Sequence, residues 1–178
     1  NHTSGIADFY VTAAQINAIW NDLSKIWTPE EVIALIGTPA HTPPGSAYSY
    51  SNTNYILAGM IVESATGEHV SKIIRDNILT PLQLDNTFYS IKETILGTIS
   101  HPWTDRNATI ILPAVIDVSG DSQVSFLSAS GPSGCIYSTP SDMVKFYQAL
   151  MNGQIINANS LAQMTTFYPA FGNYGLGI

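Results

Sequence analysis

Apolar residues along this chain recur at helical more often than at strand spacing, and Thr-Pro, Pro-Gly and Gly signals separate the runs. Thr28-Pro29-Glu30-Glu31 combines an N-cap Thr, a Pro at the first helical position and a Glu that closes a capping box. It opens a short helix that ends at Gly37. Residues 38–45 hold three prolines and read as a loop. Thr53 to Ala65 predicts an apolar helix closed by Gly67 as its C′ residue. Val70, Ile73, Ile74, Asn77 and Ile78 form a one-sided helical stripe that Pro81 stops. Thr139-Pro140-Ser141-Asp142 repeats the start signal, and the helix behind it presents Met143, Phe146, Tyr147, Leu150 and Met151 as its core face up to Gly153. A last short helix covers Ser160 to Phe167. Strand signals are weaker. Pro113 demotes the β-branched run from Thr109 to Val118 to an edge, Tyr174 to Ile178 opens a strand, and residues 93–130 read as irregular connections.

No repeat, low-complexity tract or charge block divides the 178 residues, which suits one domain or one large part of a domain. Hydrophobic residues make up 45% and aromatics 10%, which excludes a disordered chain. The longest apolar stretch, Tyr55 to Val62, is far shorter than the ~18–20 residues of a membrane span. Six Lys and Arg against thirteen Asp and Glu give a net charge of −7, so the chain is repelled by phosphate backbones and nucleic acid is excluded as a partner. Cys135 has no second cysteine to pair with and reads as a small buried hydrophobe. The start, Asn1 to Gly5, is polar and shows no signal peptide.

The chain contains no G-x-S-x-G, no glycine-rich phosphate loop, no H-E-x-x-H and no C-x-x-C. Its histidines, at positions 2, 41, 69 and 101, lack ligand spacing, and His69 reads as a solvated helix residue, so neither a metal nor another cofactor is expected. The distinctive stretch is Pro44-Gly45-Ser46-Ala47-Tyr48-Ser49-Tyr50-Ser51-Asn52-Thr53-Asn54-Tyr55. A Pro-Gly turn there delivers Tyr48, Tyr50 and Asn52 to the start of an apolar helix, which can aim them into a cleft and hold them still. A purely structural account is also available: Ser51 or Asn52 caps the helix and the tyrosines pack.

The order of motifs resembles that of the serine D-alanyl-D-alanine carboxypeptidases and class C β-lactamases, the penicillin-recognising serine hydrolases. Carrying the resemblance are Asn1-His2-Thr3-Ser4-Gly5-Ile6, the stretch from Pro44 to Asn52 with its helix to Glu63, Thr80 to Phe88, Gly134 to Met143, and Tyr174-Gly175-Leu176-Gly177. It implies an α/β fold, an antiparallel sheet with flanking helices plus a helical lobe. The part present is expected to be mainly helical with few strands. Residues 1–178 are then a single incomplete domain, with the helical lobe over about 1–130 and a return toward the sheet over about 131–178. By the resemblance, Tyr50 of the Y-x-N motif is the catalytic general base and acid, and Asn52 hydrogen-bonds the substrate amide and helps place the catalytic lysine. Phe126 is expected to line the groove. A tyrosine near its ordinary pKa of about 10 is a poor base at neutral pH and needs neighbouring positive charge, which the family supplies from lysines.

The chain departs from the family pattern in carrying the middle motif alone. The residues three before Lys25, Lys72, Lys92 and Lys145 are Asp22, His69, Tyr89 and Asp142, so no S-x-x-K is present, and neither K-T-G nor H-x-G follows. The nucleophile is therefore expected before Asn1 and the last motif after Ile178. Two readings stay open. In one, the chain is an internal fragment, inactive alone, of an enzyme that forms an acyl-enzyme with acyl-D-Ala-D-Ala peptides, β-lactams or small esters, with the carboxypeptidase favoured. Such a parent is expected outside the cell or in the periplasm, and the fragment is expected to associate through an exposed apolar face. In the other, it is a non-catalytic helical module that binds a peptidoglycan stem peptide or a protein partner.

Overall fold

The computed structural model describes residues 1–37, 42–104, 116–167 and 174–178. Helices dominate them: α1 Ala13–Trp20, α2 Pro29–Ala34, α3 Thr53–Thr66, α4 Val70–Ile74, α5 Val124–Ser130, α6 Pro140–Met151 and α7 Ala158–Met164. Two short antiparallel pairs accompany them. In one, β1 (Phe88–Tyr89) sets Phe88 opposite Tyr137 of β4 (Ile136–Tyr137). In the other, β2 (Trp103–Thr104) pairs with β3 (Ile116–Asp117). A mainly helical chain with few strands is what the motif order implies.

The start signals work as read. Thr28 Oγ1 accepts from Glu31 N–H at 3.3 Å while Glu31 Oε2 accepts from Thr28 N–H at 3.0 Å. Gly67 ends α3 in the left-handed region at φ +72°, where a side chain would be strained. The same capping logic also builds α1, which the apolar pattern does not announce. Thr12 and Gln15 close a second capping box, and the buried Gln15 donates from Nε2 to the Leu35 carbonyl at 3.1 Å, joining α1 to the end of α2.

α3 runs between two apolar clusters. Ile56 and Met60 join Phe9, Ile19, Trp27, Val32 and Ala129 on one side. Val62 faces Val70, Tyr89 and Cys135 on the other, so Cys135 is the small buried hydrophobe that was expected. Burial pushes its thiol pKa up. Close approach to the Gly131–Ser133 turn depends on Gly59, since a Cβ there would fall on the Pro132 ring. No helix of the described residues is long and apolar enough to cross a membrane.

Several expectations are corrected. The helix of the Val70–Ile78 stripe changes gauge after Ile74, where α4 ends, and Arg75–Leu79 winds as a π-helical turn. The wider turn rotates the inner face, burying Leu79 where the stripe had pointed to Asn77 and Ile78. On α6 the buried face is Asp142, Ala149 and Leu150, whereas Met143, Tyr147 and Met151 are exposed together with Val144. The reason is polar: Asp142 Oδ2 accepts from Asn86 N–H and Thr87 Oγ1–H, each at 2.9 Å, and this turns the helix. α7 begins two residues before Ser160 and ends at Met164.

The supposedly irregular stretch contains α5. Its serines look like loop residues but satisfy a buried tryptophan: Ser125 Oγ accepts from Trp27 Nε1 at 2.9 Å and Ser128 Oγ from Trp27 N–H at 3.0 Å. Most of the Thr109–Val118 run lies outside the described residues. After Tyr174 the chain turns instead of extending, with Gly175 N–H on the Ile178 carbonyl at 2.8 Å and Leu176 N–H on the Met164 carbonyl at 2.9 Å.

Candidate active site

The first two motif stretches lie side by side and are stitched by hydrogen bonds. Gly45 N–H donates to the Thr3 carbonyl at 2.7 Å, Ser49 N–H to the His2 carbonyl at 2.9 Å, and Thr53 Oγ1 to the Ala7 carbonyl at 2.9 Å. Ser4 Oγ reaches Asn54 Oδ1 at 2.6 Å. Gly5 adopts φ +74°, and a Cβ there would strike the Thr42 carbonyl. The Pro-Gly turn is thereby clamped onto residues 1–7, and it presents the segment from Tyr48 to Asn52 at the N-terminus of α3.

Tyr50 and Asn52 are brought together. The Tyr50 hydroxyl donates to Asn52 Oδ1 at 3.0 Å, and Asn52 Nδ2 donates to Asp8 Oδ2 at 2.9 Å. An ionised carboxylate can only accept, so this chain fixes which way the amide faces. Tyr50 is 55% exposed and not sealed in the core. Asn52 occupies the N-cap position of α3, yet its side chain makes no capping bond. An Asn at that position ordinarily uses its oxygen on the helix amides; here the oxygen serves Tyr50 instead. Ser51 is wholly buried, and its hydroxyl has no partner among the described residues.

Aromatic rings enclose the other side. The His2 imidazole lies 4.3 Å from the Tyr50 ring and 5.4 Å from Tyr174, between centroids, with Tyr48 and Tyr55 at 5.9 and 5.8 Å. Burial, followed by the charge of Asp8 and by Tyr174 and Tyr48, raises the Tyr50 pKa. Burial and a hydrogen bond with Tyr174 push Tyr55 up to about 12. Asn52 also borders a cavity of about 190 Å³ whose walls include Phe9, Tyr10 and Phe126. Phe126 and Asn52 thus line the same cavity, and Trp20 stacks on Phe126 with 5.4 Å between ring centroids.

Asp8 and His2 belong to this cluster and are not among the residues that the Y-x-N resemblance singles out. Asp8 carries no motif; its one signal is that no other acid precedes Asp22. His2 stands in a recognised stretch, but nothing local says that its ring turns back onto Tyr50. The remaining histidines are elsewhere. His69 caps α4, its Nδ1 accepting from Ser71 N–H at 3.1 Å, with Nε2 3.5 Å from Glu63. His101 contacts Asp117 at 2.8 Å, and His41 is outside the described residues. No three His, Cys, Asp or Glu side chains converge as metal ligands among the described residues.

The fold is that of the β-lactamase and penicillin-binding-protein class. The chain belongs to the Beta-lactamase family, whose model matches residues 1–177. A D-stereospecific amidohydrolase from Streptomyces sp. is similar at 30% identity and a TM-score of 0.83, over 99% of this chain and 54% of that one. The D-amino acid amidase from Ochrobactrum anthropi SV3, complexed with L-phenylalanine amide, is similar at 31% identity and a TM-score of 0.77, over 96% and 47%. An Escherichia coli (strain K12) protein named "Putative D-alanyl-D-alanine carboxypeptidase" is 29% identical over 157 residues, 79% of this chain and 36% of that protein. The chain thus spans about a third of that relative and about half of the two solved structures.

Proposed function

We propose that these residues form one wall of the acyl-transfer site of a serine hydrolase that acts on acyl-D-alanyl-D-alanine peptides, with β-lactams and small esters as chemically equivalent acyl donors. The observation that carries this is the solvent-facing chain from Tyr50 through Asn52 to Asp8. It fits the general base and substrate-amide roles of a Y-x-N motif. Tyr50 takes the proton of the attacking serine and returns it to the leaving group. Asn52 has one amide hydrogen committed to Asp8, which leaves the second free to donate to the substrate amide. Carboxypeptidase is favoured over β-lactamase by the sequence Tyr50-Ser51-Asn52-Thr53-Asn54.

Burial and Asp8 push the Tyr50 phenol away from base function, so a cation must stand beside it in the working site. That role falls to the lysine of an S-x-x-K segment outside the 178 residues, which also brings the nucleophile. No metal or organic cofactor is needed for this chemistry. A peptidoglycan substrate places the enzyme in the periplasm or outside the cell. The residues that α6 leaves exposed, Met143, Val144, Tyr147 and Met151, are the face through which the chain alone would associate.

The test is acylation of the complete gene product by a labelled penicillin, read by mass. Tyr50→Phe is expected to slow acylation by ~10²–10⁴. An unchanged rate removes Tyr50 from proton transfer, and a gene product that is never acylated supports a binding module instead. The 178 residues alone are expected to hydrolyse neither a chromogenic β-lactam nor a D-Ala-D-Ala peptide.

A further inference from the structure

Among the groups around Tyr50, His2 has three features that packing does not require. It is 2% exposed, yet its Nε2 meets no hydrogen-bond partner among the described residues. A ring that merely filled this space would cost less as phenylalanine, because a buried unpaired donor is unfavourable. Its Nδ1 lies 3.2 Å from Ser51 N–H and 3.4 Å from Asn54 Nδ2. Both neighbours are donors, so Nδ1 is the acceptor and the proton resides on Nε2. Its backbone also stands in the left-handed region, at φ +57°, a conformation that a non-glycine residue keeps only when its surroundings impose it.

We infer that His2 is a positioning residue of the acyl-transfer site, holding the Tyr50 ring through a tilted ring contact at 4.3 Å between centroids and the Ser51 backbone through Nδ1, and so fixing where the Tyr50 hydroxyl stands. This rests on the role proposed above for Tyr50. The physical need is plain, since a half-exposed phenol must be held within a fraction of an ångström to exchange a proton with a nucleophile. Ser51 lies between the two site residues, so an acceptor on its amide controls both of their backbones at once. The strained His2 backbone is in turn held by Ser49 N–H on its carbonyl at 2.9 Å.

A double-mutant cycle on the complete gene product tests this, with penicillin acylation resolved into a saturation constant and a maximal rate. His2→Phe, which keeps a ring and loses the acceptor, is expected to lower the maximal rate ~10-fold or more while the saturation constant stays within ~2-fold. His2→Asn places Oδ1 where Nδ1 was and tolerates positive φ, so it should recover the rate to within ~3-fold. In a Tyr50→Phe background, His2→Phe should add less than ~2-fold. Should His2→Phe fail to fold, shown by a lost thermal transition, His2→Gln supplies the acceptor deletion. Additive effects of His2 and Tyr50 substitutions, or a His2→Asn variant as slow as His2→Phe, overturn the inference and leave the Tyr50 role intact. A Tyr50→Phe enzyme with full activity overturns the underlying functional reading instead.

Discussion

Asn52 Nδ2 and Asp8 Oδ2, 44 residues apart in the chain, meet at 2.9 Å. The contact joins the start of α3 to the N-terminal stretch and settles which face of the amide meets Tyr50. Asn52→Asp would set two carboxylates at that distance, and one of them would have to hold a proton above its ordinary range. The variant is expected to be less stable than the parent at pH 7 by about 1–2 kcal/mol, the equivalent of roughly one pKa unit. The gap should close toward pH 4 as the shared proton becomes available. Denaturant midpoints of the two proteins at pH 7, 5.5 and 4 check this; a gap that does not change with pH would show that Asn52 and Asp8 are not coupled.

Gly59 faces the Pro132 ring on the inner side of α3. Alanine is the better helix former by ~1 kcal/mol, which alone would stabilise an exposed position. Here its methyl has no room, and overpacking of this kind costs ~1–3 kcal/mol, more than the propensity returns. Gly59→Ala is therefore expected to lower Tm by a few degrees, at ~2–4 °C per kcal/mol for a chain of this length. A rise in Tm would mean that the Gly131–Ser133 turn moves aside freely.

How far the sequence revealed this arrangement can be seen residue by residue. Local chemistry was legible: Thr28 with Glu31, Gly67 after α3 and Thr139 before α6 act within one turn of themselves. The pair Tyr50 and Asn52 was legible as well, because a Pro-Gly turn feeding a helix ties their positions to one short segment. What stayed hidden depends on distant partners. Asp142 rotates α6 because of Asn86 and Thr87, and α5 exists because Ser125 and Ser128 answer Trp27. Asp8 enters the site only once residues 1–7 lie along 45–53. Neither apolar periodicity nor motif spacing records such pairings.

Cys135 is 2% exposed, packed with Val70 and Tyr89, and burial raises its thiol pKa further above the range where thiolate forms. The thiolate is the reactive species, so access and ionisation both oppose alkylation. In the folded protein at pH 8, iodoacetamide is expected to leave Cys135 unmodified over hours, with complete labelling in strong denaturant. Mass spectrometry of the native and denatured samples decides it. Rapid native labelling would mean that the Val70–Tyr89 cluster opens.

Arg75 forms a fork on Glu93, Nε to Oε1 and Nη2 to Oε2 each at 2.7 Å, and also donates from Nη2 to the Thr87 carbonyl at 2.7 Å. Glu93 Oε2 accepts in addition from Tyr89 N–H at 2.6 Å, so one carboxylate ties the π-helical turn to β1. The Arg75 hydrogen bond, opposed by burial and aided by the Tyr89 amide, lowers the Glu93 pKa below its ordinary value. A carboxyl more acidic in the folded than in the unfolded state stabilises the fold fully above its unfolded pKa of about 4.3. That contribution disappears as pH falls through the lower, folded value. Glu93→Gln keeps an acceptor but removes the charge, and is expected to cost ~1–3 kcal/mol at pH 7, the range for hydrogen bonds to charged groups. Only below the lowered, folded pKa do both proteins carry a neutral group there, so their urea midpoints should start to approach each other as pH drops under about 4.3 and converge once it has passed that folded value. An equal deficit at pH 7 and pH 3.5 would show that Glu93 acts through shape and not through its charge on Arg75.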